Sequence, residues 1–231
     1  MKKTVASLTA LVVATACSST AIKDETQLPV GDSVSMEMSE SERRNAEFLD
    51  RLSSEQLLKE LKRGGYVIYF RHATTKRDYA DQADPSLNLK DCSTQRKLSI
   101  EGIAEAQAIG LAFAKQAIPV GNIITSQYCR AWKTANLAFG RVDRKDERLN
   151  FLPFENYTAQ QVLVMKTMVS PLLSSLPADG FNTVIVGHDD LFEAATGIYP
   201  EPQGIAYVLK PDGKGSFELV SNVLPKEWDQ L

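Results

Sequence analysis

The chain is short of the residues that build metal centres: among 231 residues there are two histidines and three cysteines. Two histidines without a suitable Cys or carboxylate spacing around them argue against a zinc site. Excess positive charge is also missing. Lysine and arginine number 26 against 29 aspartates and glutamates, a net charge of −3 with no basic stripe, so nucleic acid is not an expected partner. With 43% hydrophobic and 24% charged residues, the composition is neither disordered nor fibrous. It suits a full core in one domain of ordinary size, and no internal repeat or second domain is visible.

Long apolar runs are lacking too. The run at the N-terminus, Val5 to Val13, follows Lys2 and Lys3 and leads into Ala14-Thr15-Ala16-Cys17. It is too short to span a bilayer and is charged only on its N-terminal side, so residues 1–16 are expected to be a signal peptide with a small-residue cleavage site. The stretch also resembles a bacterial lipobox, although Ala14 stands where Leu is usual. That resemblance implies an exported protein of the cell envelope or periplasm, lipidated at Cys17 and held to a membrane; secretion with a free Cys17 is the alternative. Cleavage would remove two lysines and no acid, leaving 24 basic and 29 acidic groups and a charge of −5. Residues 17–38, polar with Pro29 and Gly31, are expected to be a flexible tether ahead of a single catalytic domain over residues 39–231. Cys92 and Cys129 are either a disulfide suited to an oxidising compartment or two separately buried thiols.

Within the domain, an acidic first helical turn is expected after Ser39. A second helix begins at Ser53, with Gln56 three residues on, and stops at Gly64-Gly65. "YVIYFR", 66–71, is nearly continuously apolar, as a strand covered on both faces would be. A polar loop to Lys97 precedes a helix capped by Ser99, with Ile103, Ala106, Gly110, Phe113 and Ala117 on one face. "GNIITS" reads as a strand, "YCRAWKTANLAFG" as a helix ending at Gly140, and "FNTVIVGHDD" as an apolar strand running into His188. Between the last two, a helix with Val162, Met165, Val169 and Leu172 inward is expected to break or kink at Ser170-Pro171. An antiparallel hairpin turning around Pro211 to Gly215 closes the chain. This alternation predicts an α/β protein: a three-layer α/β/α sandwich with a mostly parallel central sheet.

Ligands of open α/β sheets bind at the carboxyl ends of the strands. Three strands here end in, or lead to, groups suited to a phosphate: Arg71-His72, Ser126 followed by Arg130, and His188-Asp189. Each alone has a bland explanation as an ion pair or a structural histidine. Together they resemble the histidine phosphatase superfamily, the phosphoglycerate mutase-like proteins. Arg71-His72-Ala73 matches its Arg-His-Gly with Ala for Gly, and Thr75 falls where many members have Thr or Ser. Leu98, Ser99 and Gly102 match Leu-Ser/Thr-x-x-Gly. Ser126, Arg130, Ala131, Thr134 and Ala135 match Ser-x-x-x-Arg-Ala-x-x-Thr-Ala, and Gly187-His188 ends the last strand. The matches keep the family's order over about residues 66–222.

The resemblance implies a phosphoglycerate mutase-like fold and a histidine acid phosphatase-like hydrolase that needs no metal or cofactor. Its substrate would be a phosphorylated small molecule or a phosphoprotein. His72 would attack phosphorus to give a phosphohistidine, while Arg71, Thr75, Arg130 and His188 bind the phosphoryl oxygens. The proton donor is either Asp189, preferred for its adjacency to His188, or Glu155 in "LPFENY". Ala73 is expected to narrow the approach of the backbone to phosphate, and Asp78 stands where many members have Asn. Arg96 is either a further cation for the substrate or, the preferred reading, a surface arginine, and Asp190 reads as a helix cap. The competing function is a catalytically inactive, phospholigand-binding envelope lipoprotein.

Overall fold

A computed structural model describes residues 38–76, 81, 84–154 and 156–231. The expected signal peptide, the expected lipidation site Cys17, the expected tether up to residue 37, and Asp78 and Glu155 lie outside the described residues.

Two short helices open the domain, α1 (Glu40–Ala46) and α2 (Ser54–Arg63). Each starts on a capping box: Ser39 and Ser53 accept from the backbone N–H of Glu42 and Gln56, whose side chains reach back to the cap N–H. Gly64 ends α2 at φ 78°, pressed so closely on Phe181 that an added Cβ would lie 2.4 Å from the Phe181 nitrogen. Only glycine meets both demands.

The strands are β1 (Val67–Arg71), β2 (Val120–Thr125), β3 (Arg144–Lys145), β4 (Asn182–Gly187), β5 (Ala206–Pro211) and β6 (Phe217–Val223). They form one sheet in the order β3-β2-β4-β1-β5-β6, parallel from β3 to β1 and antiparallel across β5 and β6. The expected mostly parallel sheet and closing hairpin are both present. Between them run α3 (Ile100–Gln116), α4 (Cys129–Phe139), α5 (Ala159–Leu173) and α6 (Asp189–Thr196). Alternate strand residues face opposite cores. Ile68, Phe70, Ile123, Val184 and Val186 pack with α2, α3, α4 and Trp228. Val67, Tyr69, Ile124 and Ile185 pack with α5 and α6. Helices therefore cover both faces, making three layers. Each fully buried Leu, Ile or Phe contributes about 1.5–3 kcal/mol.

Both edges of the sheet are short or covered. β3 has two residues. Along β6, Arg51 N–H donates to the Val220 carbonyl at 2.9 Å and Asp50 accepts from Asn222 N–H at 2.9 Å.

Two helices differ from expectation. The inward row of α3 is Gly102, Ala106, Ile109, Ala112 and Phe113, while Ile103 and Ala117 are exposed. The glycines decide the roll: a Cβ on Gly102 would lie 2.0 Å from the Thr74 carbonyl oxygen, and one on Gly110 would lie 1.9 Å from that of Ala138. Close backbone approach thus outranks the apolar spacing. In α5 Pro171 does not end the helix, which continues to Leu173, and Val162 is exposed while Met165, Val169, Leu172 and Leu173 are buried. Proline here costs one hydrogen bond on an exposed side of the last turn, where burial of Leu172 and Leu173 holds the chain helical.

Cys92 and Cys129 form a disulfide, with Cα atoms 5.7 Å apart. Closing a loop of 37 residues this way removes chain entropy equivalent to about 4 kcal/mol from the unfolded state.

Candidate active site

β2, β4 and β1 are consecutive in the sheet and parallel, so their carboxyl ends lie side by side. Ladder-like hydrogen bonds extend past the strand ends, from His72 N–H to the Gly187 carbonyl (3.0 Å) and from Ser126 N–H to the Val186 carbonyl (3.1 Å). Arg71, His72, Ser126 and His188 are delivered to one edge in this way, and all four are buried.

His72 is held by its own backbone. Nδ1 lies 2.9 Å from the Ala73 carbonyl oxygen, which only accepts, so Nδ1 carries the proton. Arg130 Nε–H donates to Nε2 at 3.2 Å, so that nitrogen presents its lone pair. Burial and then the Arg130 charge keep His72 well below its ordinary pKa of 6.5, and the ring is neutral. Ala73 N–H donates to Thr134 Oγ1 (3.1 Å), which donates onward to the Arg130 carbonyl (2.7 Å). The methyl group of Ala73 packs with Leu98 and Ala106 beneath α3. The Gly-to-Ala departure therefore fills a gap in that small apolar cluster.

His188 is buried against Phe151 and Tyr128, with ring centroids at 4.8 and 5.0 Å. Its Nε2 lies 2.8 Å from Ser126 Oγ, and its ring centroid is 5.4 Å from that of His72. The Tyr69 hydroxyl fixes its peptide, accepting from His188 N–H (3.0 Å) and donating to the His188 carbonyl (2.7 Å). Gly187 makes room for this tyrosine, since a Cβ there would sit 2.3 Å from the hydroxyl oxygen. Burial, then Arg130, lowers the His188 pKa well below 6.5.

Arg130, the second residue of α4, lies over the rings of Tyr128 (4.8 Å) and Phe151 (5.2 Å). Its Nη1 pairs with Asp81 at 2.6 Å, both side chains being almost fully buried. Arg71 sits in a polar cage. Nη2 pairs with Asp189 (2.6 Å) and meets the Tyr199 hydroxyl (3.2 Å), while Nη1 donates to the Pro200 carbonyl (2.9 Å) and contacts Glu201. Tyr199 also donates to the Asp189 carboxylate at 2.8 Å.

Asp189 is the first residue of α6 and His188 is its N-cap, so Asp190 is not the cap it was expected to be. Instead, burial and then the neighbouring Asp189 charge push the Asp190 pKa up to about 7. Burial thus keeps Asp190 protonated towards neutrality beside the Asp189 carboxylate that pairs with Arg71.

Arg96 is not a surface arginine either. Its N–H donates at 2.9 Å to Asp81 Oδ2, the oxygen that also pairs with Arg130, and its charge acts on His72, His188 and Arg130. Among the described residues four buried side-chain nitrogens lack a hydrogen-bond partner: Arg71 Nε, Arg96 Nε, His188 Nδ1 and Trp228 Nε1. The first three belong to this edge of the sheet, whose combination of neutral imidazoles and guanidinium donors suits an anion with several oxygens.

Among solved structures, the chain is similar to phosphatases. A protein histidine phosphatase, SixA, complexed with tungstate is 13% identical, with 70% of this chain and 98% of that one covered, at a TM-score of 0.47. A phosphoserine phosphatase from Entamoeba histolytica is 14% identical over 68% and 95%, at 0.47. A mycobacterial glucosyl-3-phosphoglycerate phosphatase is 19% identical over 68% and 97%, at 0.46. No family model and no curated protein matches the chain.

Of the residues expected from the sequence, Arg71, His72, Arg130, His188 and Asp189 come together. Thr75 is buried nearby in sequence, but its hydroxyl and N–H both donate to Gln203, so it fastens the loop. Asp81 and Asp190 were missed at this edge of the sheet, and Arg96 was set aside as a surface residue. Asp81 and Arg96 lie in a loop without periodicity. The signal for Asp190 was a second acid beside Asp189 at the end of a wholly apolar strand.

Proposed function

We propose that this chain is a phosphatase of the histidine phosphatase kind, hydrolysing a phosphomonoester on a small molecule or a protein through a phosphohistidine on His72. One observation carries the reading: the unprotonated Nε2 of His72 faces a buried guanidinium while Nδ1 is tied to the backbone. A nitrogen nucleophile poised beside a fixed cation is what in-line attack on a phosphoryl group needs.

In the first step Nε2 bonds to phosphorus, the ester P–O bond breaks, and the leaving oxygen takes a proton from a carboxylic acid. In the second, water attacks phosphorus, its proton passes to that carboxylate, and the N–P bond breaks to release phosphate. Arg130, Arg71 and His188 stabilise charge on the equatorial oxygens, and Thr75 contributes by anchoring the loop. The donor comes from the Asp189–Asp190 pair. Asp190 is the member still protonated near neutrality, and Glu155 is the alternative. Export with a lipid on Cys17 completes the proposal. It is supported by the basic and apolar N-terminal pattern and by a disulfide suited to an oxidising compartment.

The test is phosphate release from p-nitrophenyl phosphate by purified protein and by His72→Ala. We expect release by the first and none by the second. Equal release from both sinks the assigned nucleophile, and no release from either across a broad substrate panel favours the inactive, phospholigand-binding module. For the anchor, labelling in cells with an alkyne fatty acid should mark the protein and not Cys17→Ala.

A further inference from the structure

We propose that Arg96 is a third guanidinium on the bound phosphoryl group, and that Asp81 and the Cys92–Cys129 disulfide are the positioning elements that keep it in the pocket. The inference rests on the phosphatase reading and assigns two loop elements to that same site.

The loop between β1 and α3 has no strand or α-helix among its described residues to fix it, only a single 3-10 turn at Cys92–Thr94. Its base is closed by a bridge between Thr75 and Leu98 and by Thr75 on Gln203, while the stretch from Cys92 to Arg96 is tied to the start of α4. Cys92 is bonded to Cys129, the residue before Arg130. Gln95 is buried and accepts from Cys129 N–H at 2.7 Å. Arg96 N–H then shares Asp81 Oδ2 with Arg130 Nη1. Within five residues the chain passes from a covalent bond to α4 to an arginine whose charge reaches both histidines. Its buried Nε–H has no acceptor among the described residues. A buried donor without an acceptor is costly, and an anionic oxygen is the partner that best satisfies a guanidinium.

The same Asp81 oxygen holds the Arg130 guanidinium and the Arg96 backbone N–H, so one carboxylate ties the root of the Arg96 side chain to Arg130. Cutting the disulfide frees the loop at Cys92, and Arg96 then has to be ordered at each binding event. Affinity for phosphate should fall while the attack by His72 is little changed. In a reducing medium the enzyme would then run far below saturation at substrate levels that suffice when oxidised.

The experiment uses the purified domain with p-nitrophenyl phosphate as substrate and inorganic phosphate as competing ligand. Arg96→Ala should raise KM and the phosphate inhibition constant roughly ten- to a hundredfold, the worth of a charge-assisted hydrogen bond, with a smaller change in kcat. Arg96→Lys should recover part of the loss. Reduction with dithiothreitol, and the Cys92→Ser/Cys129→Ser variant, should shift the same two constants in the same direction. In an Arg96→Ala background, breaking the disulfide should add little, because its effect passes through Arg96. Unchanged constants in Arg96→Ala, or full additivity of the two changes, would overturn the inference. If the unmodified protein neither releases nor binds phosphate, the phosphatase reading itself fails, an outcome distinct from either.

Discussion

At the scale of single residues, the site sets three protonation states against their ordinary values. His72 and His188 stay neutral below 6.5 through burial and the Arg130 charge, and Asp190 stays protonated up to about 7 through burial beside Asp189. The nucleophile is therefore ready at acidic pH, and the acid is lost as pH rises. kcat/KM should decline as pH passes through about 7. Asp190→Asn should abolish that limb and slow alkyl phosphates roughly a hundredfold or more, while sparing p-nitrophenyl phosphate, whose leaving group needs no proton. Asp189→Asn should instead act through Arg71, raising KM. If Asp190→Asn keeps the alkaline limb, the donor lies elsewhere and Glu155 becomes the residue to change. That Arg71, His72 and Arg130 meet at one edge of the sheet could be read from motifs because strand ends deliver them there. Asp190 could not, since only burial distinguishes it from a solvated acid.

At the scale of elements, caps and strand ends were legible in the sequence. Ser39, Ser53 and Ser99 all cap, and Gly140 ends α4 with φ 70°. What the apolar spacing did not reveal was the roll of α3, because Gly110 was counted as an ordinary member of the face and Gly102 was left off it, when both are points of backbone contact. Gly102→Ala should force Thr74 away, destabilising the protein by about 3 kcal/mol and lowering Tm by roughly 6–12 °C. Since Ser99 N–H also bonds the Thr74 carbonyl at 2.9 Å, two residues from His72, activity should fall with it. Ile103→Ser, on the exposed side, should change stability by less than about 0.5 kcal/mol. A melt in which Ile103→Ser is the more damaging of the two would reverse the assigned face. Cys92 and Cys129 illustrate the other limit, since pairing across 37 residues depends on where α4 is brought by the sheet.

For the whole molecule, the buried titratable groups couple activity to folding. Both histidines take up a proton only on unfolding, so their contribution is present above about 6.5 and is lost as pH falls through that value. Asp190 acts oppositely: its raised pKa favours the folded state in acid, and that support is lost as pH rises towards 7. Below about pH 6.5 the two histidines outweigh the one aspartate, and stability should fall on acidification. A His72→Gln/His188→Asn variant should lose this fall or invert it, which urea unfolding across that range would show. The architecture was readable at this scale because alternating strands and helices leave few arrangements open. The loop bearing Asp81 and Arg96 was not, as its position is set by single long-range ties, among them the disulfide, the Asp81 carboxylate and Gln95 on Cys129, and not by a periodic pattern. The treatment of the sheet edges has a consequence of its own. β3 is two residues long, and the Asp50–Arg51 connector occupies hydrogen-bonding groups along β6, so neither side offers a long row of free amides to a second chain. Proteins crowded side by side on a surface meet neighbours continually, and this sheet gives them little on which to template a shared strand.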